Sequence, residues 1–387
     1  MHFHHLHFYV EDVAFWRRWF VEKLAFHDSA AAVGSSASHL ANHTAINVQA
    51  NVQREHEVLR QGNIEVRLSG RDRAEAAAYL RQHPSGLADV ALASDRFDQA
   101  VDRAISQGAA LTQAVHLNAQ GQRQCQFQGW ADLRHTLVET AEVDEAGADS
   151  LNLPDVQGVD SFLQEIDHVV INVQQGELAA AADWYQRAFG LSFGQRFEIK
   201  TARSGLRSQV LVHEGGSLQL PLNEPSSPNS QVQEFLQHNR GAGVQHVALR
   251  STNAVRAIAH FKAQGLDLID VPDTYYEQLP LRLDCPMENL AAVSQQRLLV
   301  DWAAGGQQGM LLQTFTKPLF AEPTFFFEII ERSGYLENGK PEVAKGFGEG
   351  NFQALFEAIE RSQLVRENQS LDRAGLKPLA QKSGDEP

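Results

Sequence analysis

Two histidines and a glutamate, His168 in "IDHVVINV", His246 in "GVQHVALR" and Glu328 in "FFFEII", each sit in a short apolar stretch of strand character. Two neutral imidazoles and one carboxylate are the donor set with which proteins hold one face of a non-heme Fe(II) ion, leaving open positions for substrate and dioxygen. The three lie too far apart in the chain for a local metal loop, so the fold must bring them together. A strand suits this task, because alternate side chains share a face and the backbone fixes their direction. His168, Val170 and Asn172 share one face, as do Phe326, Glu328 and Ile330. A single histidine on an apolar strand is more often a hydrogen-bonded core residue than a ligand. An ionised, unpaired Glu328 among Phe325, Phe326, Phe327, Ile329 and Ile330 would, however, be strongly unfavourable, and a dication would neutralise it.

The elements that must carry these ligands occur twice. "HHLHFYVED" (4–12) parallels "DHVVINVQQ" (167–175), "GLADVALA" (86–93) parallels "GVQHVALR" (243–250), and "RHTLVET" (134–140) parallels "PTFFFEIIE" (323–331). Each strand of the first two pairs leads into an amphipathic helix. This predicts an α+β chain of two tandem domains, each a pair of βαβββ modules forming an open, mostly antiparallel barrel. The expected N-terminal repeat domain spans 1–145, a linker 146–163, an iron-binding domain 164–362, and a polar tail 363–387. A doubly wound parallel sheet is disfavoured, since no GxGxxG follows a strand and the Gly-rich "GFGEGNF" lacks a terminal Lys-Ser or Lys-Thr.

In this alignment the first half offers His5, Asp89 and Glu139 where the second offers the triad, and so it is expected to hold no metal, with Asp89 in a retired site. The other histidines of "MHFHHLH" do not change this expectation. Strict alternation puts His2 and His4 on one face and His5 and His7 on the other, so they do not converge.

The chain's 387 residues suffice for two domains, each with its own core. A net charge of −15 argues against binding to nucleic-acid phosphates or anionic lipid. No apolar run approaches the roughly 20 residues of a membrane helix, and the first residues lack a signal-peptide plan, so a cytoplasmic location is expected. Cys125 and Cys285 are in no CxxC spacing and read as ordinary buried or half-buried thiols.

The C-terminal third is rich in phenylalanine, and paired aromatic faces can sandwich a ring. Uncharged Ser208, Asn223, Gln231, Gln245 and Gln313 could bind a phenol or carboxylate without adding charge near a metal. The second half, through "WYQRAFG", "LPLNEP", "GVQHVAL", "LLQTFTKP", "PTFFFEIIER" and "GFGEGNFQALFEAIE", closely resembles the 4-hydroxyphenylpyruvate dioxygenase family of the vicinal oxygen chelate superfamily. The first half resembles that family only in outline. The resemblance implies Fe(II) held by His168, His246 and Glu328. It further implies a substrate wall of Phe315, Phe326, Phe347 and Phe352, and a polar shell of Ser208, Asn223, Gln231, Gln245, Gln313 and Asn351. Of these, Gln245, Gln313 and Asn223 are expected nearest the chemistry.

The implied reaction takes 4-hydroxyphenylpyruvate and O2 to homogentisate and CO2 by oxidative decarboxylation, ring hydroxylation and side-chain migration, in tyrosine catabolism or in quinone or tocopherol biosynthesis. A homo-oligomer, dimer or tetramer, is the expected assembly, and a helix beginning near Asn351 would act as a lid. Two alternatives remain open. A 4-hydroxymandelate synthase would use the same triad and substrate, and a metal-free module would merely sequester an aromatic ligand.

Overall fold

The computed structural model describes residues 1–28, 56–140, 161–200, 204–282, 289–302, 309–337 and 339–351. The first half comprises β1 (His2–Tyr9), α1 (Val13–Leu24), β2 (His27–Asp28), β3 (Glu57–Gln61), β4 (Ile64–Ser69), α2 (Ala74–Gln82), β5 (Gly86–Ser94), α3 (Phe97–Ser106), β6 (Leu111–Leu117), β7 (Arg123–Gln128) and β8 (Arg134–Glu139). The second begins with β9 (Glu165–Asn172), α4 (Leu178–Phe189), β10 (Ser192–Lys200), β11 (Gly205–Val212), β12 (Gln219–Pro225), α5 (Gln231–Asn239), β13 (Gly243–Arg250) and α6 (Ala254–Ala263). It continues through α7 (Asp273–Arg282), α8 (Leu290–Gln296), β14 (Leu299–Trp302), β15 (Met310–Phe315) and β16 (Phe326–Arg332), and closes with the hairpin β17 (Gly334–Glu337) and β18 (Lys340–Val343) and a 3-10 turn at Glu349–Asn351. Local chemistry sets several helix starts: the side chains of Asp12, Ser230 and Asn253 accept from the first-turn N–H groups of Phe15, Val232 and Arg256.

Both halves form an eight-stranded sheet of the same order, β2-β3-β4-β1-β5-β8-β7-β6 and β10-β11-β12-β9-β13-β16-β15-β14. The first strands of the two modules meet antiparallel at the centre, β1 with β5 and β9 with β13. The last strand of each module returns parallel to its first, and the remaining neighbours are antiparallel. The terminal strands do not pair with each other, so neither sheet closes into a complete barrel. Among the described residues, α7, α8 and the β17–β18 hairpin have no counterpart in the first half.

The largest apolar cluster spans the two halves, while smaller clusters have their buried members within one half each. A single contiguous apolar cluster runs from Phe3 and Leu6 in the first half to Phe327 and Ile329 in the second. Its junction is aromatic: Phe8 meets Phe325 edge-on at 5.1 Å and Phe327 at 6.2 Å, while Phe20 meets Phe327 at 5.9 Å. Phe327 is the neighbour of Glu328 and faces the other way, so the first half packs against the back of the strand that carries Glu328. Polar contacts reinforce the junction. The Asn63 N–H donates to the Gln164 carbonyl at 2.7 Å, and the Tyr185 hydroxyl and His135 Nε2 are 3.0 Å apart.

Several expectations fall outside the described residues: the linker over 146–160, Cys285, Phe352, the helix after Asn351 and the tail. Cys125 is buried in β7, and burial pushes its thiol up to about 12. No described helix is long and apolar enough to cross a membrane.

The shared core has a measurable consequence. Phe8→Ala is expected to cost about 3–5 kcal/mol and to lower the stability of both halves together. Urea denaturation followed by tryptophan fluorescence and circular dichroism checks this, since independent cores would show the second half unfolding at an unchanged midpoint.

Candidate metal centre

His168 on β9, His246 on β13 and Glu328 on β16 converge in the second half. Their nearest donor atoms all lie within 4.8 Å of one another. His168 Nε2 is 3.4 Å and His246 Nε2 3.7 Å from Glu328 Oε2. His168 and Glu328 are each 2% exposed. Strand register explains the convergence: Ala248 on β13 is opposite both His168 and Glu328, and His246 is two residues away on the same strand.

Two β-bulges refine this frame. The β9–β13 register shifts between Ala248 and Leu249, leaving Asp167 as the extra residue, and between Val244 and His246, leaving Gln245 extra. A bulge turns an extra residue toward the face of its neighbour. Asp167 therefore lies beside His168, with Oδ1 2.8 Å from Nδ1, and Gln245 joins His246 on the cavity wall.

The ligand side chains are held from behind. Arg332 donates from Nε and Nη2 to the two Asp167 oxygens at 2.7 and 2.6 Å. Burial disfavours ionised Asp167, but Arg332 and His168 prevail and hold its carboxyl well below the usual range. Burial likewise works against charge on His168, yet Glu328 and Asp167 bring its pKa up to about 9, so the carboxylates favour a cation at this point. His246, buried and facing His168, is held well below the ordinary histidine range.

Gln313 on β15 donates to Glu328 Oε1 at 2.9 Å and accepts from Asn351 Nδ2 at 2.9 Å. With Oε1 so engaged, Oε2 is the oxygen turned toward both imidazoles. Gln313 and Asn351, which the resemblance sets in the polar shell, thus form a hydrogen-bonded chain to Glu328. Two buried nitrogens and one buried oxygen, with two acid groups nearby and one arginine between them, fit a divalent ion of the imidazole- and carboxylate-binding class.

A cavity adjoins this group, with His168, His246 and Glu328 in its lining. His246, Phe315, Phe326 and Phe347 form its aromatic side. Phe326 stacks on His246 at 4.8 Å and 17°, and Phe347 meets His168 edge-on at 5.1 Å. Ser208, Asn223, Gln231 and Gln245 also line it. Ser208 Oγ, Gln231 Oε1 and His246 Nδ1 are buried without a hydrogen-bond partner among the described residues. The opposite wall, Phe197, Ile199, Leu206 and Pro221, was missed in the sequence, as were Asp167 and Arg332. The available signal was cross-strand: Phe197 pairs with Ser208, and Ser208 with Asn223.

The first half keeps both bulges, with His4 at the place of Asp167 and Ala88 at the place of Gln245. This overturns the strict alternation of the N-terminal histidines, because the bulge swings His4 beside His5, with their Nδ1 atoms 2.7 Å apart. His4, His5 and Glu65 form the other described group with metal-ligand chemistry. Both oxygens of Glu65 are already engaged, however, by Arg60 on Oε2 and Arg67 on Oε1.

The alignment of Glu139 with Glu328 is also corrected. Asp89 is opposite Arg134 where His246 is opposite Phe326, which makes Thr136 the counterpart of Glu328 and Glu139 that of Glu331. Glu139 instead pairs with Arg123. Asp89 accepts from the Thr136 N–H and hydroxyl and from Gln126 Nε2. Asp89→Ala is accordingly expected to lower stability by about 1–3 kcal/mol per stranded donor while leaving turnover per folded molecule within about twofold of wild type. Paired thermal melts and initial-rate assays check it, and a large loss of rate without unfolding would contradict it.

Comparisons with known proteins accord with this geometry. The Glyoxalase/Bleomycin resistance protein/Dioxygenase superfamily matches residues 165–279. A 4-hydroxyphenylpyruvate dioxygenase of Danio rerio is 34% identical over 333 residues, covering 78% of this chain and 79% of its own. One from Legionella pneumophila is 40% identical over 208 residues, 54% of this chain and 57% of its own. A Synechocystis protein described as uncharacterized is 31% identical over 93% of this chain and 97% of its own. A mutant 4-hydroxymandelate synthase from Streptomyces coelicolor shares the fold, with a TM-score of 0.73 over 94% of this chain and 98% of its own at 24% identity. With identity above 30% across most of both chains, the protein belongs to the 4-hydroxyphenylpyruvate dioxygenase family of this dioxygenase superfamily.

Proposed function

We propose that the protein is an Fe(II)-dependent 4-hydroxyphenylpyruvate dioxygenase that converts 4-hydroxyphenylpyruvate and O2 to homogentisate and CO2, with His168, His246 and Glu328 as the iron ligands. The observation that carries this reading is the convergence of two imidazole nitrogens and a carboxylate oxygen, all buried, at the base of an aromatic-walled cavity. When bound, Fe(II) would supply the redox chemistry of dioxygen and Lewis-acid activation of the oxo acid.

The remaining work falls to the chain itself. Asp167 accepts from His168 Nδ1 and so directs Nε2 to the centre, while Gln313 donates to Glu328 Oε1 and turns Oε2 inward. Phe315, Phe326 and Phe347 present apolar faces and edges that orient a phenol ring and exclude water. Ser208, Asn223 and Gln231 offer a hydroxyl and two amides to polar ends of the substrate, and Gln245 does so beside His246. None of these adds charge near the centre. Phe352 and a lid helix beyond Asn351 belong to this reading through the family resemblance. The first half acts as a non-catalytic buttress, supported by its packing behind Glu328.

The protein, loaded with Fe(II) under anaerobic conditions and mixed with 4-hydroxyphenylpyruvate, is expected to yield homogentisate and CO2 when air is admitted. Product identification by mass spectrometry decides the matter. 4-Hydroxymandelate would reassign the reaction to side-chain hydroxylation, and binding without O2 consumption would favour a sequestering module. His246→Ala is expected to stay folded yet to lose more than the ~100-fold in rate and iron affinity that loss of an outer-shell partner costs. Wild-type turnover in that variant would remove His246 from the centre.

A further inference from the structure

Arg332 ends β16 on the same face as Glu328 and is 9% exposed. Its guanidinium makes two sets of bonds in opposite directions. Nε and Nη2 hold Asp167, whose Oδ1 accepts from His168, while Nη1 donates to the carbonyls of Ala344 and Gly346 at 2.9 Å each. Those carbonyls belong to the strap that leads from β18 to the 3-10 turn. Gly346 and Gly348 sit at φ +87° and +77° on either side of Phe347, whose ring lies against His168. A Cβ on Gly348 would come within 1.7 Å of Gln313 Oε1, so the strap can pass this close to the ligand-holding amide only as glycine.

We propose that Arg332 is a positioning residue that couples the strap 344–348 to the orientation of His168, so that metal binding and placement of Phe347 over the cavity reinforce each other. The proposal rests on the metal assignment above. A planar guanidinium has the donors and the span to hold a carboxylate on one edge and two carbonyls on the other. A lysine ammonium in its place keeps a positive charge for Asp167 but cannot span both sets, which makes Arg332→Lys the variant that severs the link while preserving charge.

Co(II) is titrated into the metal-free full-length protein and followed by its visible absorption, a readout that needs no turnover. The wild type, Arg332→Lys, Phe347→Ala and the double variant are compared. Arg332→Lys is expected to weaken Co(II) binding by about tenfold to a hundredfold. Phe347→Ala is expected to weaken it in the wild-type background and to have less than half that effect on the logarithm of affinity in the Arg332→Lys background, because the link through which it acts has gone. A merely structural arginine would give effects that multiply. Where Arg332→Lys does not fold, Asp167→Asn/Arg332→Gln removes both buried charges together and serves the same comparison with Phe347→Ala. Unchanged Co(II) affinity in the Arg332 variants, or purely multiplicative effects, overturns the coupling and leaves the metal site standing. Failure of the wild type to bind Co(II) at all overturns both.

Discussion

A β-strand delivers only every second side chain to a given face, yet this site needs adjacent pairs, Asp167 with His168 and Gln245 with His246. The two bulges between β9 and β13 resolve that conflict. Each adds one residue where the strand must present two neighbours to the same side, and the ladder resumes in register beyond it. Without the first bulge Asp167 would face away from His168, leaving the imidazole without its Nδ1 partner. Without the second, Gln245 would leave the cavity wall. The central strand pair of the sheet therefore carries both histidines of the candidate centre and a close neighbour of each.

The energetic difficulty is Glu328. A carboxylate in an aromatic-lined cavity is stable only if its charge is compensated, and among the described residues the neutral side chain that donates to it is Gln313. The arginine nearest the centre does not serve Glu328 but is committed to Asp167, with which it forms a two-point buried pair. One of the two acid groups is thus neutralised by the chain, and the other is compensated by whatever cation occupies the triad. Asp167 has a guanidinium of its own and Glu328 does not, so Glu328 is the carboxylate that a cation at the triad, whether an ion or the His168 imidazolium, would compensate.

Much of this arrangement was legible in the sequence, and what was not shares one physical cause. The repeat was readable because both sheets need the same alternating apolar strands at the same order, so "GLADVALA" and "GVQHVALR" could be aligned residue by residue. The triad was readable because histidine and glutamate are conspicuous in apolar strands. The polar shell at Ser208, Asn223, Gln231 and Gln245 was also readable, as uncharged polar residues in otherwise buried segments. Bulges leave no such mark, since an extra residue in a strand looks like any other, and so the convergence of His4 with His5 and of Asp167 with His168 escaped. The pairing of Asp167 with Arg332 spans most of the second half, and only strand register reveals it. The same limit misled the alignment of Glu139 with Glu328, where residue identity was followed and the register of β5 with β8 makes Thr136 the counterpart.

The two halves then show what separates a fold from a site. Both have the same strand order, the same two bulges and a histidine at the position of His168, yet their polar groups are used differently. In the first half Asp89 accepts three hydrogen bonds, Glu65 is gripped by two arginines, and His5 is matched with His4, so these groups find their partners within that half. In the second half Ser208, Gln231 and His246 each keep a buried polar atom without a partner among the described residues, all around one cavity. Buried polar atoms left open in this way are costly unless something else completes them. Three such atoms line the cavity that also holds His168, His246 and Glu328, and this is the physical argument for a ligand at that place.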